Sequence, residues 1–366
     1  MPDCRCGFFC VLKSGGELYY ISVLLFGERG EMMGKQAQVH CVIIGFSDYK
    51  NSKEKKIFDL NEFKKAENIN PYLTNASNVI VSKRQNPICD VPEMAYGSKP
   101  ADGGFLLLSE EEKEELIKEN PLAQKWIRPF LGSREFITGE KRWCLWLVDA
   151  SPNELRKFKL IMDRIDNVRN FRLHSKAAST KKASNIPTLF KDIRQPSSNY
   201  LIIPEVSSEK RKYIPIGFMN KSVIASNAAH IIPNATLYHF GILTSSVHMA
   251  WMRAVAGRLK SDYSYSSGIV YNNFIWPNPT PTQKENIEKA AQAVLDARKL
   301  YPDSSLADLY SPTNLCPELM QAHEKLDTAV KDAYGNKGFE TEEEIVASLM
   351  ELYKKAIDRE KEAKLA

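Results

Sequence analysis

Several chemistries are missing from this sequence. Its seven cysteines include no Cys-x-x-Cys pair and no cysteine–histidine cluster at zinc-ligand spacing, which argues against a structural metal. The thiols Cys4, Cys6, Cys10, Cys41, Cys89, Cys144 and Cys316 are odd in number, and free thiols fit a reducing cytoplasm. Cys41 and Cys144 sit in apolar, strand-like runs and are expected to be small buried hydrophobes. The apolar stretch 18–26 is too short to span a bilayer and carries no cationic leader or small-residue cleavage site. The expectation is a soluble cytoplasmic protein with no membrane partner.

Catalytic signatures are lacking as well. No Gly-x-Gly-x-x-Gly follows a strand, and Gly27, Gly30 and Gly34 have the wrong spacing for a phosphate cradle. Gly-x-x-x-x-Gly-Lys-Ser/Thr, Gly-x-Ser-x-Gly and His-Glu-x-x-His do not occur. The six histidines are scattered, and His248, with Met249, Trp251 and Met252, reads as a packed helix face. Glu362-Ala363-Lys364 is a solvated face rather than a nuclease cluster. The tetrapeptide Asn/Asp-Pro-Pro-Phe/Tyr, which amino methyltransferases use to hold the target nitrogen, is missing. Nothing amounts to a complete active site.

What is present suits a polyanion. The formal charge of +5 and pI near 8.6 are only mildly basic, but the distribution is uneven. Residues 121–220 hold 19 Lys and Arg against 9 Asp and Glu, whereas residues 281–366 hold 12 against 17. Arg164, Arg169, Arg172, Lys176, Lys181, Lys182, Lys191 and Arg194 line a polar segment that also holds Phe171, His174 and Phe190. Between two apolar runs, Ser207-Ser208-Glu209-Lys210-Arg211-Lys212 reads as a polar hairpin tip, where Glu209 either accepts from a cytosine amine or pairs with Arg211. From Gly257 to Pro277 the chain interleaves Arg258, Lys260, short hydroxyls, three tyrosines and two adjacent asparagines, the side chains that hold phosphates, stack on bases and read base edges. Singly, Arg258 and Lys260 would equally well cap the end of the preceding helix.

Strands are expected at 39–46, 78–82, 105–108, 143–148, 200–206, 213–218, 222–226 and 236–240. Capping boxes at Ser109/Glu112 and Ser151/Glu154 open helices, and a further helix runs from Leu243 to Ala256. Residues 170–200 show no clear period and read as a long loop. Pro277, Pro279 and Pro281 mark a boundary, past which Thr282/Glu285, residues 318–334 and Thr341/Glu344 define three helices.

These segments together resemble the MmeI-like single-chain type II restriction–modification enzymes, which join a nuclease, an adenine-N6 DNA methyltransferase and a target-recognition domain. Residues 34–46 are similar to the last strands of the family's methyltransferase sheet. Val168-Arg-Asn-Phe-Arg-Leu173, Pro204-Glu-Val-Ser-Ser-Glu-Lys-Arg-Lys-Tyr-Ile-Pro-Ile-Gly-Phe218 and the run from Phe240 through Pro277 resemble its recognition region. Ala291–Arg298, Ser305–Tyr310, Ala322-His323 and Leu326-Asp327 resemble its helical C-terminus. Residues 1–33 depart from the pattern, and the methyl-donor and Asn-Pro-Pro motifs belong upstream of the matched stretches.

The resemblance implies an α+β fold. Residues 1–57 would be the edge of a methyltransferase α/β sheet, 58–280 a recognition domain of mixed strands and helices, and 281–366 a small helical bundle. It implies double-stranded DNA as partner, S-adenosylmethionine as cofactor of the intact family but not of this chain, and no metal. DNA contacts are expected from Arg169, Arg172, Lys176, Lys181, Lys182, Arg194, Ser207, Ser208, Arg211, Lys212, Arg258, Lys260, Ser261, Tyr263 and Asn272. A family-wide signature cannot set a member's own target, so Arg258, Lys260, Ser261, Tyr263, Tyr271 and Asn272 suit phosphates or scaffold, and base readers are expected in 220–230 and 180–185. Two rival readings remain: a split enzyme active with a separately encoded methyltransferase or nuclease fragment docked through residues 39–46, and an interaction protein using its helical tail.

Overall fold

The computed structural model describes residues 55–59, 62–313, 316–336 and 338–365. The strand expected at 39–46, the thiols Cys4, Cys6, Cys10 and Cys41, and the resemblance over 34–46 lie outside the described residues. So does every expectation for residues 1–33.

Two compact units are present. The smaller holds residues 55–80 and 346–365. In it β1 (Lys55–Asp59) and β2 (Glu62–Ala66) form an antiparallel hairpin in register from Lys55↔Ala66 to Asp59↔Glu62. The buried Asn70 then organises a turn, its Oδ1 accepting from the amides of Tyr72 and Thr74 at 2.9 and 3.1 Å.

The larger unit, 81–345, runs through β3 (Ala95–Tyr96), β4 (Leu107–Leu108), α1 (Glu110–Glu119), β5 (Ile127–Leu131), α2 (Ser133–Thr138) and β6 (Trp143–Leu145). Next come α3 (Pro152–Leu155), α4 (Lys159–Leu173), α5 (Ala178–Lys182), β7 (Tyr200–Pro204), β8 (Val206–Ser207), β9 (Gly217–Met219), β10 (Ile224–Ala225) and β11 (Ala229–Pro233). Then follow α6 (Leu237–Leu243), α7 (Ser246–Val255), β12 (Gly257–Leu259), β13 (Asp262–Ser264), α8 (Pro281–Lys299), α9 (Leu306–Leu309), α10 (Pro317–Ala333) and the start of α11 (Glu342–Leu365).

Three small sheets have the strand orders β10–β5–β6–β4, β3–β11–β7–β9 and β12–β13–β8. Helix α4 buries Ile161, Ile165 and Val168, spaced four and three apart, in the core that backs the first sheet and includes Leu106, Leu145 and Phe190. Strand β7 is buried along its whole length, as its run of apolar residues requires. Cys144 lies in the first core with no exposed surface.

The capping boxes at Ser109 and Ser151 form as the sequence indicates. Several expectations are corrected. No strand forms at 78–82. Residues 236–240 are not a strand but the start of α6, where the amide and hydroxyl of Thr236 meet His239 Nδ1. Residues 170–200 are not one loop: α4 extends to Leu173, and α5 with a 3-10 turn covers 178–185. The last domain opens at Thr280/Gln283 rather than Thr282/Glu285, because Pro281 takes the first helical position, where its missing N–H costs nothing.

Helices α8 and α10 pack as the dominant pair of the C-terminal segment, burying Ile287, Ala291 and Val294 against Leu319, Ala322, Leu326 and Val330. Gly241 of α6 lets this pair approach closely, since a Cβ there would meet Ile287 Cγ2 at 2.9 Å and Ala291 Cβ at 3.2 Å. Polar groups also join these helices to the strands of the larger unit. Asp327 accepts from Tyr213 Oη and from the Ser246 amide, both at 2.7 Å. Arg298 donates to the Ile216 carbonyl at 2.6 Å and to Tyr310 Oη, which is 2.8 Å from His323 Nε2. The His323 ring stacks on Tyr213 with centroids 4.0 Å apart.

Candidate DNA interface

Strands β12 and β13 form a hairpin in register Gly257↔Ser264, Arg258↔Tyr263 and Leu259↔Asp262, with Lys260 and Ser261 as its two turn residues. Such turns demand positive φ, and Lys260 adopts φ 59° at the exposed tip. Arg258 lies over the Tyr263 ring at 4.0 Å, donates to the Ser261 carbonyl at 3.0 Å and faces the Glu209 carboxylate at 3.8 Å. Arg258 is therefore not a helix cap, and Glu209 pairs with it rather than with Arg211. Tyr263 is buried, partly beneath that guanidinium, so its role is to support Arg258 rather than to meet a ligand.

Strand β8 adds to the hairpin through Ser207↔Tyr263, and this buries Ser207, which corrects its expected place at the surface. Ser208 begins the turn that follows, its carbonyl accepting from the Arg211 amide at 3.2 Å. Burial pulls the Arg211 guanidinium below its usual range, and the Asp262 charge opposes that pull. Lys210 and Lys212 are exposed beside it. The structure thus gathers Ser208, Lys210, Arg211, Lys212, Arg258, Lys260 and Ser261 around one three-stranded sheet.

A second cationic group lies on α4 and α5. Lys176, Lys181 and Lys182 are exposed, and among the described residues their side chains make no ion pair or hydrogen bond. Arg169 is exposed and pairs with Asp166 at 3.3 Å. Arg172 is different. Its side chain is fully buried, and its guanidinium donates five hydrogen bonds, to the carbonyls of Pro100, Ala101, Ala183, Ile186 and Leu189 at 2.7 to 3.0 Å. With no free donor and no exposed surface, Arg172 cannot hold a phosphate. Arg164 is half-buried and already engaged, bound to the carbonyls of Phe105 and Leu107 and to Glu112.

The asparagine pair is structural too. Asn272 Nδ2 donates to the carbonyls of Arg84 and Gln85, and Asn273 Nδ2 to those of Ser82, Gly268 and Ile269. Tyr271 Oη donates to the Pro92 carbonyl at 2.7 Å. These side chains fasten the 82–92 segment, so Asn272 is corrected from DNA ligand to scaffold. Both asparagines are buried.

Arg194 borders a concavity of about 260 Å³ lined also by Tyr96, Gly97, Lys99, Asp192, Glu205 and Asn227. Of these, the sequence reading pointed to Arg194 and, within 220–230, to Asn227. Glu205 falls within the Pro204–Phe218 resemblance without a role assigned, and no motif marks Tyr96, Lys99 or Asp192. Burial raises the Glu205 carboxyl above the usual range; burial and then the Glu205 charge raise the Tyr96 phenol, against Arg194.

Comparison with known proteins bears directly on this surface. The family described as "MmeI, target recognition domain" matches residues 75–278, and "MmeI, C-terminal domain" matches 279–359. The chain belongs to the MmeI family. DNA methyltransferase A of Bacillus subtilis (strain 168) is 40% identical over 323 residues, covering 88% of this chain and 37% of the relative. The solved structure of the Type IIL restriction–modification enzyme MmeI in complex with DNA is 46% identical, with a TM-score of 0.85, covering 92% of this chain and 46% of that one. The chain therefore spans less than half the length of these relatives. What it shares with them is the α+β recognition region and the helical C-terminal domain of a DNA methyltransferase and restriction–modification family. Among the described residues, no helix is long and apolar enough to cross a membrane.

Proposed function

We propose that this chain is a sequence-specific duplex-DNA recognition module, which docks DNA for methylation at adenine N6 by catalytic parts of the family architecture that it does not span. The observation that carries this reading is the cationic hairpin surface around Arg258, Lys260, Arg211 and Lys212, in a region matched to the target recognition domain. Phosphate contacts are assigned to Arg169, Lys176, Lys181, Lys182, Arg194, Ser208, Arg211, Lys212, Arg258, Lys260 and Ser261. In this reading they hold the duplex in register while base edges are read in a groove.

The family's methyl donor, S-adenosylmethionine, does not fit the turn at Gly132. A βα turn that could cradle it follows β5 at Gly132, but the Glu135 carboxylate already accepts from the Gly132 amide at 2.8 Å. A Cβ at Gly132 would lie 2.9 Å from both Glu135 Oε2 and Ser226 Oγ, so the turn is filled by the protein itself.

The test is binding to random-sequence duplex across a salt series. Log K should fall linearly with log salt, with a slope of about −0.9 for each phosphate contacted. A flat plot removes the reading.

A further inference from the structure

Single exposed apolar side chains are common on a folded surface, and Leu122 and Leu300 are ordinary cases. Leu259 differs in its setting. It is the last residue of β12 and 57% exposed, with Arg258 before it and Lys260 after it, at the end of the hairpin whose cations are assigned to phosphates.

The strand carries this leucine away from the core. β12 is the outer member of the order β12–β13–β8, and all three of its residues are exposed. A Cβ at Gly257 would meet nothing within 4 Å, so the base of the hairpin is clear of the body on that side. The position is nonetheless fixed. Arg258 lies on the Tyr263 ring and closes the turn by donating to the Ser261 carbonyl, while Tyr263 is buried and pairs with Ser207 of β8. A leucine held out in water on a tied backbone can be covered by a ligand with little further ordering, and covering it recovers the free energy that its exposure costs.

The neighbouring charges select the ligand. Two cations bracket a side chain that has no polar atom, so the hairpin end suits anionic groups on both flanks and an apolar surface between them. A duplex presents that order when one base step is opened: phosphate, base face, phosphate. Alternation puts Leu259 and its partner Asp262 on the face opposite Arg258 and Tyr263, and the Asp262 carboxylate disfavours a backbone phosphate there. Leucine is among the apolar side chains that DNA-binding proteins drive between base pairs.

We infer that Leu259 is a wedge, which enters between two adjacent base pairs, unstacks them and kinks the duplex while Arg258 and Lys260 hold the flanking phosphates. The inference rests on the duplex-binding reading above.

The test uses the full chain on a duplex selected from a random-site pool, placed at the middle or near the end of a longer fragment. A kink slows the complex most when it lies at the middle, so gel mobility reports it whatever the sequence. Wild type should kink the duplex by about 20–90°. Leu259→Ala should keep the thermal midpoint, because the side chain is exposed, and its complexes should run alike from both placements. Leu259→Phe should restore the kink. Leu122→Ala, which changes a 70% exposed leucine in the 3-10 turn Pro121–Trp126, should kink as wild type does. Straight wild-type complexes, or a full kink with Leu259→Ala, overturn the inference while leaving DNA binding intact. Loss of all binding by Leu259→Ala also overturns it, since the residue would then be an anchor and not a wedge. Wild type that binds no duplex at low salt overturns both readings.

Discussion

Arg172 sits where the stripe Ile161–Ile165–Val168 next reaches the core, four residues past Val168, and that register could have been read from the sequence. Its place in that period, rather than its charge, sets it in the interior. The carbonyls that receive it, at 100–101 and 183–189, come from segments whose folded positions no local pattern shows. Replacing Arg172 with Ala would remove five hydrogen bonds. The Pro100, Ala183 and Ile186 carbonyls would keep the amides of Lys191, Ile186 and Leu189, but those of Ala101 and Leu189 would lose their guanidinium partner. Urea unfolding should show a cost of about 3 kcal/mol or more. The Lys181→Glu/Lys182→Glu double variant should leave the urea midpoint within error and weaken duplex binding at low salt. Unchanged binding by that variant would instead favour an interaction protein working through its helical tail.

At the scale of elements, local chemistry that acts within a few residues was legible. The boxes at Ser109 and Ser151 and the stripes of α8 and α10 needed only neighbours at i+3 and i+4. Elements shaped by distant partners were not. The 82–92 segment is fastened by Tyr271, Asn272 and Asn273, residues about 180 positions away, so it needs no ladder of its own. The sequence of the hairpin β12–β13 displays its cationic and aromatic side chains but carries no Asn-Gly or Asp-Gly pair to mark its turn. Lys260 there holds a left-handed φ of 59°, which glycine adopts freely. Lys260→Gly should therefore hold or raise the thermal midpoint while reducing the magnitude of the DNA salt slope by about 0.9.

For the whole molecule, the uneven charge marks a cation-rich middle, but it leaves out Arg258 and Lys260 and does not separate the exposed Lys181 and Lys182 from the half-buried Arg164 and the buried Arg172. Buried imidazoles add a property that composition does not disclose. Burial pushes His248 down to about 3 and His230 down to about 4, and His323 also falls well below the usual value. Depressed base pKa values keep the native rings neutral, whereas the unfolded chain takes up protons as pH falls below about 6.5. Stability should thus be full above that pH and decline from there toward about pH 4 for His230 and about pH 3 for His248. At pH 5 the loss would be on the order of 2 kcal/mol for His230 and again for His248. Asp327, raised by burial, works in the opposite sense. Urea midpoints at pH 7.5, 6 and 5 measure the balance; a midpoint that does not fall would contradict it.

Asp327 and Arg298 have one more consequence, for anyone wishing to transplant this reader into another enzyme. Their bonds to Tyr213, Ser246 and Ile216 cross the seam near residue 279 where the two family regions meet. A graft cut at that seam would strand an arginine, a carboxylate and their partners on opposite pieces. The portable cassette is the pair of regions together.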